Sequence, residues 1–258
     1  MRLMKRILSA AAVLALSASL LVGCSSGTAG SVPVSASSAA ESTVSSVEET
    51  ASSAVDENEA AAAQLLNDLT GSYQELWPVI LADEYKQTWL DDCTALVGED
   101  NAEAAFEKLS SMVTGDVYGE DAVKAYANGG GAYFCGFTNS LATLTFDGET
   151  STISGTDKDG NVLFSHTYHY IGMEPVHGLY EFESDDADSG EFTYFFLAPD
   201  TSAETYHIEF RYGSDAEALS QYDAGKYAYW LASGISTDCD QTMIDNCIEL
   251  FCTENLAG

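Results

Sequence analysis

His207 and Glu209 stand two residues apart in the stretch Tyr206-His207-Ile208-Glu209-Phe210-Arg211-Tyr212, and an imidazole and a carboxylate so spaced form a candidate metal-ligand pair. Apolar or aromatic side chains occupy 206, 208, 210 and 212 with polar ones between, the period-two alternation of a half-buried strand. Both candidate ligands therefore leave the same strand face. Neutral imidazole nitrogen and carboxylate oxygen suit Zn²⁺, which takes three or four N, S or O ligands from protein. The competing reading is a hydrogen-bonded or solvated polar face, since polar pairs on strands are common.

The elements that position the pair follow from the flanking pattern. Gly213 breaks the strand, and Ser214 followed by Glu217 has the spacing of a capping box, so a helix is expected to run to about Tyr222. Residues 57–131 read helical, with helices over Glu59 to Leu69, Asp83 to Val97, Asn101 to Val113 and Glu120 to Ala127. Ser72 and Glu75 make a second capping box, and Pro78 must end or kink its turn. From 132 to 213 short alternating runs replace them: Tyr133 to Thr138, Leu141 to Phe146, Thr152 to Ser154, Val162 to Ile171, Leu179 to Glu183, Phe192 to Leu197 and Tyr206 to Tyr212. Asp147-Gly148, Lys158 to Asn161 and Asp185 to Gly190 are the turns between them. The segment from Asp157 to Asn161 lacks the glycine and glutamate of a calcium loop and reads as a turn. Residues 214–258 close with a helix from Asp238 to Asn255, whose Met243, Ile244, Cys247, Ile248 and Phe251 share one side. The expected class is mainly β with helices (α+β): a small antiparallel barrel, with an N-terminal helical part and C-terminal helices.

The first residues are Met-Arg-Leu-Met-Lys-Arg, then an apolar run from Ile7 to Val22, then Leu21-Val22-Gly23-Cys24. A basic start, a short apolar core and a lipobox imply a signal peptide over 1–23, with Cys24 as the lipidated first residue of the exported chain. The apolar run falls short of the about 20 residues that span a bilayer. Residues 24–56 are Ser, Ala, Thr, Val and Glu with almost no large apolar side chain, the composition of a disordered tether. Residues 57–258 then hold enough Tyr, Phe, Trp, Leu and Ile for one core. The expected location is outside the cytoplasm, anchored to the cell membrane by the lipid.

The charge balance is 9 Lys plus Arg against 41 Asp plus Glu, a net −32, and cleavage would remove Arg2, Lys5 and Arg6 as well. So acidic a chain excludes nucleic acid as a partner. Besides Cys24 there are Cys93, Cys135, Cys239, Cys247 and Cys252, an odd number with no Cys-x-x-Cys, and a mostly structural role is expected for them. No Gly-x-Ser-x-Gly, His-Glu-x-x-His or phosphate loop occurs, and an enzyme is not expected.

Four pieces in order, Leu66-Asn67-Asp68-Leu69-Thr70-Gly71-Ser72-Tyr73-Gln74-Glu75-Leu76-Trp77-Pro78, Gly136-Phe137-Thr138-Asn139, Tyr168-His169-Tyr170-Ile171-Gly172, and Ala198-Pro199 with the His207 strand, give the chain a likeness. Over roughly residues 62 to 230 it resembles the ZinT-like family of exported zinc-binding proteins, found alone or fused to the solute-binding lipoproteins of zinc ABC transporters. The resemblance implies a calycin-like barrel, zinc as the cofactor and a zinc ABC transporter as a partner. In the family a His-x-His pair and a histidine ahead of the Ala-Pro hold zinc; here the pair reads His207-x-Glu209 and the upstream position reads Phe195. The site implied is therefore His207, Glu209 and a replacement third ligand, His169 first, with His166, His177 and Glu181 as further candidates. Loss of the metal, leaving a barrel that binds an organic ligand or a protein through Tyr168, Tyr170, Phe195 and Tyr206, is the alternative.

Overall fold

Eight antiparallel strands follow one another in sequence order and close, the last against the first, into a barrel. The computed structural model describes residues 57–198 and 207–256; the leader, Cys24, the tether, Pro199 and Tyr206 lie outside the described residues. The strands are β1 Gly71–Glu75, β2 Thr143–Asp147, β3 Thr152–Thr156, β4 Val162–Met173, β5 Tyr180–Ser184, β6 Tyr194–Leu197, β7 His207–Gly213 and β8 Ala232–Ser236. Around them stand α1 (57–68), α2 Leu76–Ile80, α3 Lys86–Val97, α4 Glu99–Ser111, α5 Glu120–Ala127, α6 Ala216–Leu219 and α7 Gln241–Leu256. This is the α+β, calycin-type up-and-down architecture, with every strand edge paired. Among the described residues no helix is long and apolar enough to cross a membrane.

Alternation places every second residue inside. Phe146, Phe164, Tyr168, Phe182, Phe195, Phe210, Tyr212 and Trp230 fill the barrel and are buried. An eight-stranded barrel has an interior about wide enough for its own side chains, and aromatic rings of this size occupy it. Each such ring contributes up to about 3 kcal/mol by burial alone. Ala62, Leu65, Leu66 and Leu69 form the apolar stripe of α1 at helical spacing and join this core.

A second core lies outside the barrel. Leu76, Trp77 and Ile80 of α2 pack with Trp89 and Cys93 of α3, Leu109 of α4, and Ile244, Cys247, Ile248 and Phe251 of α7, against Ile235 on the outer side of β8. Trp77 and Trp89 both meet the Phe251 ring edge-on, at 4.7 and 5.9 Å. The helices thus cover one outer face of the barrel.

Five expectations need correction. Ser72 and Glu75 cap no helix: they belong to β1, where Ser72 Oγ pairs with Thr145 Oγ1 at 2.8 Å and Glu75 Oε1 accepts from Phe137 N at 2.6 Å. The barrel is not confined to 132–213, because β1 precedes that range and β8 follows it. Tyr133 to Thr138 forms only two isolated bridges, both at Phe134, to Thr114 and to Trp230. Ahead of α6, Asp215 is the cap, its carboxylate accepting from Ala218 N at 3.1 Å, while Ser214 Oγ turns to Glu191 Oε1 at 3.0 Å. That helix ends at Leu219, short of Tyr222.

Candidate metal centre

The two faces of β7 go to different cores. Ile208, Phe210 and Tyr212 point into the barrel core, so His207, Glu209 and Arg211 point out of it. Register sets His207 beside Ile235 and Glu209 beside Ser233 on β8. Over this outer face lie α2 and α7. His207 and Glu209, with Leu76, Trp77, Ile80, Cys247, Phe251 and Glu254, line a cavity of about 30 Å³. A water needs roughly 10–15 Å³ of such space, whereas small-molecule sites run from about 300 Å³ upward. The cavity has the size for an ion or one or two waters.

Its electrostatics are those of buried acids and thiols. Glu209 is only 9% exposed. Burial, then the Glu209 carboxylate, then Cys239 and Glu254 push the Cys247 thiol up to about 12. Burial and then Glu209 push the Cys135 thiol up as well. Low dielectric and neighbouring negative charge both oppose thiolate; a divalent cation in the same place would favour it. The donors gathered here, one imidazole, two carboxylates and a thiol, are the kinds Zn²⁺ accepts. Among the described residues, however, no three His, Cys, Asp or Glu side chains are arranged to hold an ion. The donor types fit zinc, and a closed shell requires side chains on α7 and β7 to turn toward one another.

The other candidates are placed elsewhere. His169 projects from the outer side of β4, exposed, with Nδ1 2.7 Å from Asp185 Oδ1, and two strands, β5 and β6, separate β4 from the His207 strand around the barrel. His166 meets Asp186 at 2.7 Å and packs against the rings of Phe164 and Tyr168. Phe195 is fully buried inside the barrel, opposite Phe182 and Tyr212, on the face the pair avoids. His207 and Glu209 are brought together; His169 and Phe195 are not brought to them.

His177 belongs to another cluster. Glu174, fully buried, accepts from Val176 N at 3.0 Å, His177 N at 2.5 Å and His177 Nδ1 at 3.1 Å. Burial pushes its carboxyl up, but the His177 side chain and the two backbone amides outweigh it and hold it below the ordinary 4.5. The His177 ring lies 3.7 Å from Tyr222, over which the Arg211 guanidinium stacks at 4.2 Å. Arg211, fully buried on the outer face of β7, donates to the carbonyls of Leu219, Gln221 and Tyr227 and so pins that segment to the strand. Glu181, on β5, is raised by burial and then by Glu174.

The residues that sequence reasoning did not assign to the centre are Cys247 and Glu254. They are seven apart on α7, about two turns, and so share one side of the helix. That spacing was the available signal; which strand the side covers was not.

Solved structures offer a faint likeness. The Zn(II)-bound ZinT-like domain of Streptococcus pneumoniae AdcA is similar with a TM-score of 0.45 and 15% identity, over 71% of this chain and 89% of that one. Zn(II)-bound AdcA from the same organism gives 0.43 and 14%, over 72% of this chain and 35% of that chain. No protein-family model matches the sequence, and no curated protein matches it.

Proposed function

We propose that this chain is an exported, lipid-anchored metal-binding protein that takes up Zn²⁺ outside the membrane, at His207 and Glu209 under the C-terminal helix. The observation that carries the reading is an ion-sized cavity lined by His207, Glu209, Cys247 and Glu254. Its role is binding and not catalysis. Support for an importer as partner, and for Cys24 as anchor, comes from the sequence resemblance and the lipobox.

The test is zinc titration of the metal-stripped full chain, purified without a His tag, beside its His207→Ala and Glu254→Gln forms. One tight equivalent, weakened about 10- to 100-fold in both variants, is expected. Affinity unaffected by either change would refute the site. Membrane association should be lost in Cys24→Ser, and an unchanged membrane fraction would refute lipidation.

A second reading, a barrel that has lost its metal, is favoured by one observation: no three donors stand ready to hold an ion among the described residues. It does not restore a ligand inside the barrel. Tyr168 and Phe195, two of the side chains such a ligand would meet, are 2% and 0% exposed and packed among other rings.

A further inference from the structure

Apart from the metal centre, a cavity of about 440 Å³ is lined by Met112, Tyr126, Gly131, Tyr133, Asp223 and Tyr229. That volume falls within the roughly 300–1,000 Å³ of small-molecule sites. Tyr126 and Tyr229 stack with centroids 3.7 Å apart and planes 8° from parallel. Tyr133 leans on both, at 6.0 and 5.8 Å and 54° and 52°.

Unusual backbone holds these rings in place. Tyr229 has φ +56°, in the left-handed region that aromatic residues rarely enter. It is fixed there by donating to Tyr222 O at 2.8 Å and accepting from Phe134 N at 3.0 Å. Gly131, at φ +111°, has no Cβ where one would sit 2.8 Å from the Tyr126 ring. A residue held in a sparsely populated conformation points to function more than to packing alone. The rim adds one carboxylate, the exposed Asp223. No Lys or Arg lines the cavity.

We propose that this cavity binds a small soluble organic cation, an ammonium bearing methyl or alkyl groups, with the three tyrosines as walls and Asp223 as counter-charge. Ring faces attract cations through their quadrupole, and the apolar substituents gain from aromatic and thioether contact. An anion would meet Asp223 and a chain of net charge −32. A bare metal ion would find no imidazole or thiol among these residues. The proposal is independent of the zinc reading, since it shares none of its side chains.

The experiment is calorimetric titration of the full chain with choline and with its neutral carbon isostere 3,3-dimethylbutan-1-ol. Choline should bind saturably, and the isostere about tenfold more weakly, the share that belongs to the charge. Asp223→Asn, an exposed change that leaves the rings in place, should weaken choline by about fivefold. The control Asp188→Asn should leave it unchanged, which separates the site from general attraction to an acidic surface. Tyr133→Leu should abolish binding while circular dichroism stays that of the parent. Equal binding of the two probes, no saturable choline binding, or equal loss in both aspartate variants would each overturn the proposal. So would sedimentation with phosphatidylcholine vesicles by a Cys24→Ser chain, free of the proposed anchor, that does not bind free choline, because the occupant would then be a membrane headgroup.

Discussion

From Ile208 to Tyr212 the inner and outer faces of β7 are both buried, yet they hold opposite chemistries. Inside, Ile208, Phe210 and Tyr212 are at most 2% exposed in a core of rings. Outside, Glu209 is 9% and Arg211 0% exposed, polar groups covered by α7 and by the segment after α6. An apolar side chain needs only volume, whereas each buried polar group needs partners or carries a penalty of about 1–3 kcal/mol. The barrel interior is therefore the scaffold. Specific chemistry sits where added elements cover the barrel from outside, and the same strand serves both.

The largest effect expected from breaking this division is on the inside. Phe195→His would restore the histidine of the resembled family at its expected place, but among Phe182, Tyr212 and Phe210 instead of beside His207. It should lower unfolding stability by about 4 kcal/mol, the scale of a buried phenylalanine truncation, and leave zinc affinity unchanged. Urea unfolding and zinc titration read the two quantities; tighter zinc would mean that both faces share one site. On the outside, Arg211→Met should cost about 3 kcal/mol. Deleting a buried charge can be neutral or stabilising when apolar packing replaces it. Here the buried carbonyls of Leu219 and Tyr227 would lose their donors, as would that of Gln221 at the edge of the cluster, and that loss decides the sign. Arg211→Lys should not rescue it, because one ammonium cannot span the set. A loss under about 1 kcal/mol would reduce Arg211 to a passenger.

How far the sequence announced this arrangement differs between the faces. Alternation alone put His207 and Glu209 together, and the helix from Glu120 to Ala127 is where its pattern placed it. β8 escaped because Ala232-Ser233-Gly234-Ile235-Ser236 is made mostly of small residues buried on both sides, with no alternation to see. β1 was masked by Ser72 and Glu75, whose spacing imitates a helix cap while their side chains reach Thr145 and Phe137. The candidate centre was half legible for the same reason. Two donors lie on one strand and obey a local period, but Cys247 and Glu254 meet them through tertiary packing that no local pattern encodes.

A smaller effect separates the polar clusters of the outer region by pH. The Glu174 carboxyl is held below its ordinary 4.5 in the fold, so its stabilisation is fully present above that pH and is lost as pH falls through the lower, folded value. Glu174→Gln should remove one share of the acid sensitivity of the thermal midpoint below pH 4.5, beside those of Glu191 and Asp157, whose carboxyls are also held low, at the expense of about 2 kcal/mol near neutrality. If the acid limb is unchanged in the variant, the clamp on Val176 and His177 does not set it.

The smallest expected signal, and the sharpest for the proposed centre, is the proton count on zinc binding. A metal held by His207 and carboxylates alone should bind with little proton release above about pH 7.5, where imidazole is already neutral. If Cys247 joins the shell, its thiol, at about 12 without metal, must ionise, so close to one proton should leave per zinc and affinity should keep rising with pH. Calorimetry in buffers of different ionisation enthalpy counts that proton, and Cys247→Ala should erase it. Release that persists in Cys247→Ala would assign the proton to another group and leave α7 contributing carboxylate only.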